Sequence, residues 1–358
     1  MTPQPKMKNP INALIVGYRD DRIAEHVKSL ERLREEGLVE KISALSSGIS
    51  SDSSNPPGNY SAPVNFTTEI QRDYPEAGFE NPEGFSRYCK DIKKTISQTG
   101  STLVLPTTDR AVIAIASIFG NKSFVDGVST SCPGIDIVDT FQDKGSTYSF
   151  FNNQNITRTP SYRTINTSDL GKLKGQILLH GVAAPYFAKP SHPQRGGGAG
   201  AGKVSRATDV QRLMIESGYN NYLISELLNG PEINHTIIIN PNGTVATQCT
   251  YEEISNTDRR KQRVSIQNDE LDNFGYKFGE SLRDNFGGSN FRGVYNIDFL
   301  RDSSNNLVIS EINPGRFPAC MSIFNNENFN LLKPLLSTVT GKSEKYPGSY
   351  TIGKHFNC

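Results

Sequence analysis

The sequence predicts a chain with two kinds of sheet, an α/β part with a parallel sheet followed by an α+β part with antiparallel sheet. Two short apolar runs, residues 12–17 and 102–105, each lead through a turn into a helical pattern. Strands that alternate with helices in this way form parallel sheets. Beyond about residue 140 the strands come in pairs, and residues 295–313 form two alternating runs around a Ser/Asn turn. That pattern is typical of an antiparallel hairpin.

The chain begins with the strand and helix of the parallel sheet. Residues 12–17 (NALIVG) are a continuous apolar run that ends in glycine, and leucine and isoleucine recur at helical spacing over residues 20–33. These patterns predict a strand, a turn and a helix. Residues 46–67 are rich in Ser, Asn, Pro and Gly and follow neither period. They predict a long surface loop, to which we assign no function.

Two further strands complete the predicted parallel sheet. Residues 102–105 enter the segment PTTDR and then an apolar helix over residues 111–119, and residues 134–138 form a third buried-strand run. Ligand groups of such sheets lie on the loops that follow the carboxyl ends of the strands. Asp109 and its neighbour Arg110 are therefore candidate binding residues.

Length and charge limit the kind of protein this is. At about 150 residues per domain, the 358 residues predict roughly two compact units. Lys and Arg number 38 and Asp and Glu 37, so the net charge of +1 creates no overall field for nucleic acid or an anionic membrane. The longest apolar run near the start is too short to span a bilayer, and no signal-peptide pattern precedes it. We expect a cytoplasmic protein with no nucleic-acid or membrane partner.

The cysteines and histidines predict neither disulfides nor a metal centre of their own. The five cysteines are far apart, odd in number and form no CxxC pair, so we expect free thiols. The five histidines show no metal-ligand spacing. We expect most of them at the surface.

The hairpin near the end of the chain places two carboxylates together. If its turn centres on Ser304 and Asn305, Asp298 lies opposite Glu311, and like charges at that position repel. Asn313 adds a neutral oxygen two residues further along the same face. Hard oxygen ligands of this kind suit magnesium that arrives with nucleotide phosphates. A solvated pair of surface acids is the alternative interpretation.

A glycine-rich segment follows a short strand that ends in Lys189. Five glycines occupy the seven positions 196–202, and such a run lets backbone amides approach an anion closely. Residues 197–203 fit GxxxxGK, but Val204 follows where a phosphate loop needs a hydroxyl to hold magnesium. The dinucleotide pattern GxGxxG cannot be placed in the run. The segment indicates a flexible phosphate lid, with a plain linker as the alternative.

Two shorter segments complete the set of motifs. In residues 222–232 (YLISELLNGPE) an apolar strand ends in a polar elbow, which suits main-chain contacts to adenine and a contact from Glu232 to ribose. An ordinary turn between strands is the alternative for this segment alone. Asp143 and Lys144 begin a helix-like stretch and supply one more cation.

Taken in chain order, these motifs resemble the ATP-grasp superfamily, in the branch that includes carbamoyl-phosphate synthetase, biotin carboxylase and the carboxylate–amine ligases. That family shows a DK at the entry of its first lobe, a strand ending in KP before a glycine-rich lid, an E-x-x-x-G-x-E segment, and a D…E-x-N-P-R magnesium hairpin. The counterparts here are Asp143-Lys144, Lys189-Pro190 with residues 196–202, Glu226 to Glu232, and Asp298 with Glu311, Asn313 and Pro314. The order of these four motifs over residues 143–316 makes the resemblance specific.

The resemblance implies a fold and a division into domains. Residues 1–138 would form a Rossmann-like domain. A two-lobed ATP-grasp domain with antiparallel sheets would follow, with the first lobe and its glycine-rich lid over residues 139–225. Residues 226–358 would form the second lobe with the metal hairpin.

The resemblance also implies roles for single residues, with ATP and magnesium as cofactors and manganese as an alternative ion. The implied nucleotide-binding residues are Lys144, Lys189, Gly196, Gly197, Gly198, Gly200, Glu226, Leu227, Leu228 and Glu232. The implied metal ligands are Asp298, Glu311 and Asn313, and the implied catalytic residues are Lys189 and Arg316. The sequence departs from the family pattern at EINPGR, where Gly315 is inserted before Arg316.

The reaction implied is that of an ADP-forming carbon–nitrogen ligase. A carboxylate attacks the γ-phosphoryl group of ATP, and an amine captures the resulting acyl phosphate. We expect a small carboxylic acid or amino acid and an amine as substrates, and leave a homodimer open. The basic cluster Arg259, Arg260, Lys261 and Arg263 is a second candidate for binding the carboxylate, or else a solvated basic loop.

Other functions stay open at this point. A nucleotide-binding regulatory or scaffold protein could keep the fold without turnover, and carboxyphosphate chemistry like that of carbamoyl-phosphate synthetase is a second alternative. A phosphate-loop phosphotransferase is disfavoured by Val204.

Overall fold

The structure is a computed structural model of the chain. It describes residues 10–18, 21–47, 66–72, 82–122, 124–173, 177, 179, 181–192, 200–257, 260–287, 291–318, 321–326, 329–339 and 350–357. Within these ranges helices and strands are mixed and the strands form several sheets, in agreement with the predicted mixed fold class. None of the helices in the described ranges is long and apolar enough to cross a bilayer.

The chain divides into two compact units. The first unit comprises the described residues of Met1–Val138, His235–Asn296 and Asn313–Cys358, and the second comprises those of Asp139–Asn234 and Ile297–Ile312. Three strands continue from one unit into the other, so the chain passes the boundary repeatedly. The division into domains at residues 138 and 225 stays a prediction.

The first unit begins with a sheet of mainly parallel strands. The strands are β1 Ile11–Tyr18, β2 Val39–Ser47, β3 Thr68–Arg72, β4 Leu103–Pro106, β5 Phe124–Val125 and β6 Val128–Thr130, in the order β3-β2-β1-β4-β6-β5. β1 pairs in parallel with β2 and β4, whereas only β5 and β6 pair antiparallel. Leu14, Ile15 and Val16 of β1 are fully buried. Burial on both faces explains why this strand is a continuous apolar run.

Helices accompany this sheet, and one of them corrects a prediction. They are α1 Asp21–Glu35, α2 Pro82–Thr99, α3 Asp109–Phe119 and α4 Ile135–Gln142. Residues 134–138 were expected as a strand, but they lead into α4, and Asp136 in its first turn exchanges hydrogen bonds with Asn121. The prediction is wrong because a short apolar run does not distinguish a buried strand from a buried helix.

The second unit contains a four-stranded sheet of antiparallel strands. It consists of β7 Tyr162–Asn166, β8 Tyr186–Pro190, β9 Gly202–Val204 and β10 Asn221–Glu226, in the order β7-β10-β8-β9. The helices are α5 Lys144–Gln154 and α6 Ala207–Ser217, with a 3-10 helix over Thr167–Leu173. Ile165, Ala188 and Ile224, one from each of three strands, pack in its core. This core fixes the strand that carries Lys189.

A six-stranded sheet forms the rest of the chain. Its strands are β11 Glu232–Ile239, β12 Val245–Thr257, β13 Arg260–Ile266, β14 Gly293–Arg301, β15 Leu307–Pro314 and β16 His355–Asn357, in the order β15-β14-β11-β12-β13-β16. The helices here are α7 Asp269–Phe286 and α8 Leu332–Val339. β14 and β15 are neighbours and form the predicted hairpin. β11, β14 and β15 are the strands that continue between the units.

Candidate active site

Lys144 lies at the start of α5 in the second unit. Asp143 caps this helix by accepting a hydrogen bond from the Ser146 amide at 2.7 Å. The Lys144 amide donates to the Ser191 carbonyl oxygen at 3.1 Å, which joins the helix start to the residue that follows β8. Lys144 is only 5% exposed, and its Nζ lies 3.4 Å from Glu311 Oε1. A buried ammonium group of this kind needs such a partner, because burial without one is costly.

Lys189 lies near the end of β8 and is equally enclosed. It is 8% exposed, and its Nζ donates to the Ser310 carbonyl oxygen at 3.0 Å. The Tyr148 ring lies 5.6 Å from the same Nζ, and the Tyr148 hydroxyl donates to the same Ser310 oxygen at 2.9 Å. Burial lowers the pKa of the Lys189 ammonium group, while the charges of Glu311 and Asp298 act in the opposite direction. Lys144, Lys189, Asp298 and Glu311 are called the lysine–carboxylate cluster below.

The hairpin that carries Asp298 and Glu311 has a different turn from the one expected. The Asn305 amide donates to the Asp302 carbonyl oxygen, and the Asp302 amide donates to the Asn306 carbonyl oxygen, both at 3.0 Å. Asn305 has a φ of 67°. This is a three-residue turn with a left-handed residue, so its centre is Ser304 rather than the Ser304–Asn305 pair.

The two carboxylates of the hairpin act on the same lysine. Asp298 Oδ1 accepts a hydrogen bond from Asn234 Nδ2 at 2.6 Å. Both carboxylate charges act on the Lys189 ammonium group, where they oppose the lowering of its pKa by burial.

Asn313 and Arg316 belong to the first unit. Arg316 Nη2 donates to Asn313 Oδ1 and Arg316 Nε donates to Asp109 Oδ1, both at 2.7 Å. Asp109 is the first residue of α3, on the loop where the sequence predicted a binding residue. The Arg316 side chain thus joins this loop to the end of β15.

The inserted Gly315 has a structural explanation. Its φ is +84°, and a Cβ at this position would lie 2.8 Å from Cys132 Sγ. The Gly315 amide donates to the Val294 carbonyl oxygen at 2.6 Å, and its own carbonyl oxygen accepts from Ser131 Oγ at 2.5 Å. Only glycine fits this conformation and this close approach. Burial raises the pKa of the Cys132 thiol to about 12, so this cysteine is no thiolate nucleophile.

The elbow after β10 lines a cavity of about 470 Å³ in the second unit. Glu226, Leu227 and Leu228 form one wall, and Arg158, Arg301 and Asp302 are among the residues of the others. Gly230 closes the elbow: its amide donates to the Arg301 carbonyl oxygen at 3.2 Å, and a Cβ there would lie 2.5 Å from that oxygen. The glycine of the E-x-x-x-G-x-E motif therefore has a packing role. Glu232 begins β11 and is half-buried.

The glycine-rich segment lies mostly outside the described residues, and so do Gly196, Gly197 and Gly198. Gly200 is described, with a φ of +77°, and its carbonyl oxygen accepts from the Tyr222 hydroxyl at 2.8 Å. A Cβ at Gly200 would lie 2.7 Å from that hydroxyl. Gly200 is thus held against β10 at the base of the segment.

The basic cluster at residues 259–263 is described only in part. Arg259 lies outside the described residues, as do the side chains of Arg260 and Lys261. Arg263 is buried in β13, with its guanidinium carbon 5.1 Å from the centre of the Tyr251 ring. For this residue the solvated-loop interpretation is wrong, because a strand packs its side chain on an aromatic ring.

The donor chemistry of the cluster can be compared with the needs of a metal ion. Among the described residues, no group of three or more His, Cys, Asp or Glu side chains is arranged to hold a metal on its own. Asp298 and Glu311 supply two sets of carboxylate oxygens in the second unit. Magnesium is commonly bound by one or two carboxylates together with substrate phosphates. The residues present fit a magnesium ion that arrives with a nucleotide.

No protein-family model matches the sequence, and no curated protein sequence matches it. The structure nevertheless resembles solved structures over nearly its whole length. An L-amino acid ligase from Bacillus licheniformis matches 96% of this chain and 78% of its own, with a TM-score of 0.61 and 12% identity. The N5-carboxyaminoimidazole synthetase from Staphylococcus aureus, in complex with ADP, matches 97% of this chain and 81% of its own, with a TM-score of 0.61 and 13% identity.

A third similar structure is the biotin carboxylase domain dimer of the Hydrogenobacter thermophilus 2-oxoglutarate carboxylase. It was solved with MgADP, ADP and bicarbonate, and it matches 97% of this chain and 74% of its own, with a TM-score of 0.65 and 12% identity. These matches are to ATP-grasp ligases. The chain has the ATP-grasp fold. At such low identity, the likeness of this chain to the three proteins is one of fold.

Several residues around the lysine–carboxylate cluster and the cavity beside Glu226 were not predicted from the sequence. They are Tyr148, Arg158, Asn234, Asp302 and Ser310. Tyr148 follows Lys144 by four residues on α5, so helical spacing could have placed both on one face. Arg158 lies outside the regular elements and Ser310 acts through its backbone. No sequence pattern indicates either role.

Proposed function

We propose that the protein is an ATP-dependent, ADP-forming ligase that joins a carboxylate to an amine. The observation that carries this proposal is the lysine–carboxylate cluster: two buried ammonium groups, Lys144 and Lys189, lie beside two carboxylates in one compact unit. Two buried ammonium groups are costly to keep for stability alone. Groups of this kind suit the binding of a triphosphate and its metal ion.

The nucleotide would lie along the second unit. Lys144 and Lys189 would bind its phosphates, the cavity beside Glu226, Leu227 and Leu228 would take the base, and Glu232 would bind ribose. Asp298, Glu311 and Asn313 would hold magnesium, which would supply positive charge beside the nucleotide phosphates. The Rossmann-like character of residues 1–138 and the lobes over residues 139–225 and 226–358 belong to the same proposal.

The chemistry needs no nucleophile from the protein. A substrate carboxylate oxygen attacks the γ-phosphorus, the bond to ADP breaks, and an acyl phosphate forms. The amine nitrogen then attacks the acyl carbon, the bond between that carbon and the phosphate oxygen breaks, and the phosphate leaves with the proton that the amine loses. Charge on the transferred phosphoryl group is spread over the cations around it, so catalysis depends on positioning and electrostatics. Lys189 and Arg316 would supply this charge, and Asp109 holds Arg316 at 2.7 Å.

The proposal is tested by incubating the protein with MgATP and pools of carboxylates and amines while ADP, AMP and phosphate are followed. ADP and phosphate released only when both pools are present support the ligase. AMP and pyrophosphate would contradict it. Tight ATP binding without turnover would favour a regulatory nucleotide-binding protein, and ADP release with bicarbonate alone would favour carboxyphosphate chemistry.

A further inference from the structure

The cavity beside Glu226 contains a charge arrangement that the proposed reaction does not itself require. Four charged side chains line it, two guanidinium groups and two carboxylates: Arg158, Arg301, Glu226 and Asp302. Arg158 Nη2 lies 3.2 Å from Glu226 Oε1, and Arg158 Nη1 donates to Asp302 Oδ2. One guanidinium group therefore bridges two carboxylates across the cavity wall.

The three bridged residues come from three separate segments. Arg158 lies between α5 and β7, and its carbonyl oxygen accepts a hydrogen bond from the Ile309 amide at 3.0 Å, which anchors it to β15. Glu226 ends β10. Asp302 closes the hairpin turn, where its Oδ1 accepts from the amides of Ser304 and Asn306 at 2.8 and 2.9 Å. Arg158 thus ties the elbow, the turn and β15 together.

Burial and charge explain why this bridge matters. The side chains of Glu226 and Asp302 are 13% and 9% exposed, whereas that of Arg158 is 45% exposed. Without the guanidinium group, two enclosed carboxylates would line the same cavity and lack a cation between them. The forked guanidinium geometry suits simultaneous contact with two carboxylates, which a lysine ammonium group does not reproduce. The bridge keeps the cavity near electrical balance, which suits an uncharged ring.

We propose that Arg158 is a positioning residue that fixes the base end of the nucleotide site through Glu226 and Asp302. This inference rests on the proposed function, since it takes the cavity as the base pocket. Arg158 acts on the walls of the pocket rather than on the reacting phosphates. Its removal affects the affinity for a nucleotide but not the affinity for a phosphate chain that lacks a base.

The test compares two probes by titration calorimetry, MgADP and magnesium tripolyphosphate, on the unaltered protein and on Arg158→Gln. We expect Arg158→Gln to weaken MgADP binding about fivefold, the effect of a partly exposed ion pair, and to leave tripolyphosphate binding unchanged. Arg163→Gln is the matched control, because Arg163 is an exposed arginine of β7 in the same unit. It is expected to change neither affinity.

Two further variants keep the inference testable if Arg158→Gln does not fold. Arg158→Lys keeps the charge but not the fork, and Asp302→Asn removes one of the two partners; each is expected to weaken MgADP binding about twofold. Unchanged MgADP affinity in all folded variants, or an equal loss for both probes, would overturn the inference. Absence of MgADP binding to the unaltered protein would instead overturn the proposed function.

Discussion

Two regions of the molecule provide partners for buried polar side chains, one with charged groups and the other with neutral groups. The lysine–carboxylate cluster of the second unit contains Lys144, Lys189, Asp298 and Glu311. In the first unit two neutral hydrogen-bonded pairs, His235 with Thr250 and Thr236 with Asn296, are called the neutral polar cluster below, and all four residues are less than 5% exposed. The first region keeps two buried ammonium groups beside two half-buried carboxylates, and the second contains no charged group.

The neutral polar cluster is held by ordinary hydrogen bonds. His235 Nδ1 lies 2.8 Å from Thr250 Oγ1, and Thr236 Oγ1 donates to Asn296 Oδ1 at 3.1 Å. Burial lowers the pKa of His235 to about 3, so its ring is neutral at physiological pH. Neutral hydroxyl, amide and imidazole groups are therefore sufficient to satisfy one another in this part of the interior.

The contrast indicates what the charged cluster is for. Burying an ionised group costs more free energy than burying a neutral polar group. In the neutral polar cluster, buried polar side chains find partners without any ionised group. We therefore expect changes in the charged cluster to affect turnover more than stability. Changes in the neutral cluster should affect stability and leave nucleotide binding intact.

The largest expected effect is that of Glu311→Gln. It removes a carboxylate from the lysine–carboxylate cluster and should reduce substrate-dependent ADP release at least about 100-fold, with the fold intact by circular dichroism. Glu216→Gln, on the exposed surface of α6, is the matched control and should retain full activity. If Glu311→Gln keeps its turnover, the assignment of this carboxylate is wrong.

His235 should make the protein less stable in acid. Its pKa is lower in the folded than in the unfolded state, so the unfolded chain binds the proton first and stability falls as the pH drops below about 6.5. Between pH 7 and pH 5 the loss from this residue is about 2 kcal/mol. Urea unfolding at both pH values measures it. His235→Gln should lose less stability over this interval, and an equal loss in both proteins would contradict the assignment.

Thr236→Val should have a moderate effect on stability alone. The change removes the hydroxyl that donates to Asn296 Oδ1 and costs about 1.5 kcal/mol of unfolding free energy. MgADP affinity should stay the same. Thr68→Val, at an exposed position of β3, is the control and should cost less than about 0.5 kcal/mol. A loss of nucleotide affinity in Thr236→Val would contradict the expectation that the neutral polar cluster contributes to stability and not to nucleotide binding.

The smallest expected effect is the uptake of a fraction of a proton when MgADP binds. Because burial lowers the pKa of Lys189, its ammonium group loses its proton more readily than an exposed lysine does, and bound phosphates favour its charged form. Binding of MgADP at alkaline pH should therefore take up a fraction of a proton. Calorimetry in buffers of different ionisation enthalpy measures this uptake. It should vanish in Lys189→Met, and proton release by the unaltered protein would contradict the prediction.

Much of the fold could be predicted because its signals are local. The apolar run of β1 predicts a strand that is buried on both faces, and the cap at Asp143 fits the expected helix start. The strand prediction for residues 134–138 was wrong because the three apolar residues Ile135, Ile137 and Val138 fit a buried helix as well as a strand. The turn at residues 302–306 was displaced because Asn305 adopts a left-handed conformation that Asn-rich sequence allows at several positions.

The site was predicted less completely than the fold. Motif spacing could single out Lys144, Lys189 and Glu311, because charged residues at strand and helix ends stand out. Arg158 could not be found in this way, since its partners Glu226 and Asp302 are 68 and 144 residues away in the chain. The histidines were expected mainly at the surface, yet His26 and His235 are buried. Sequence alone does not show which polar side chains find partners in the interior.

A crystal structure with magnesium and a non-hydrolysable ATP analogue would show whether the lysine–carboxylate cluster binds the nucleotide phosphates. We expect phosphate oxygens within about 3.2 Å of Nζ of Lys144 and of Lys189, with the base in the cavity beside Glu226. A nucleotide bound elsewhere, with Lys144 still on Glu311 and Lys189 still on the Ser310 carbonyl oxygen, would contradict it.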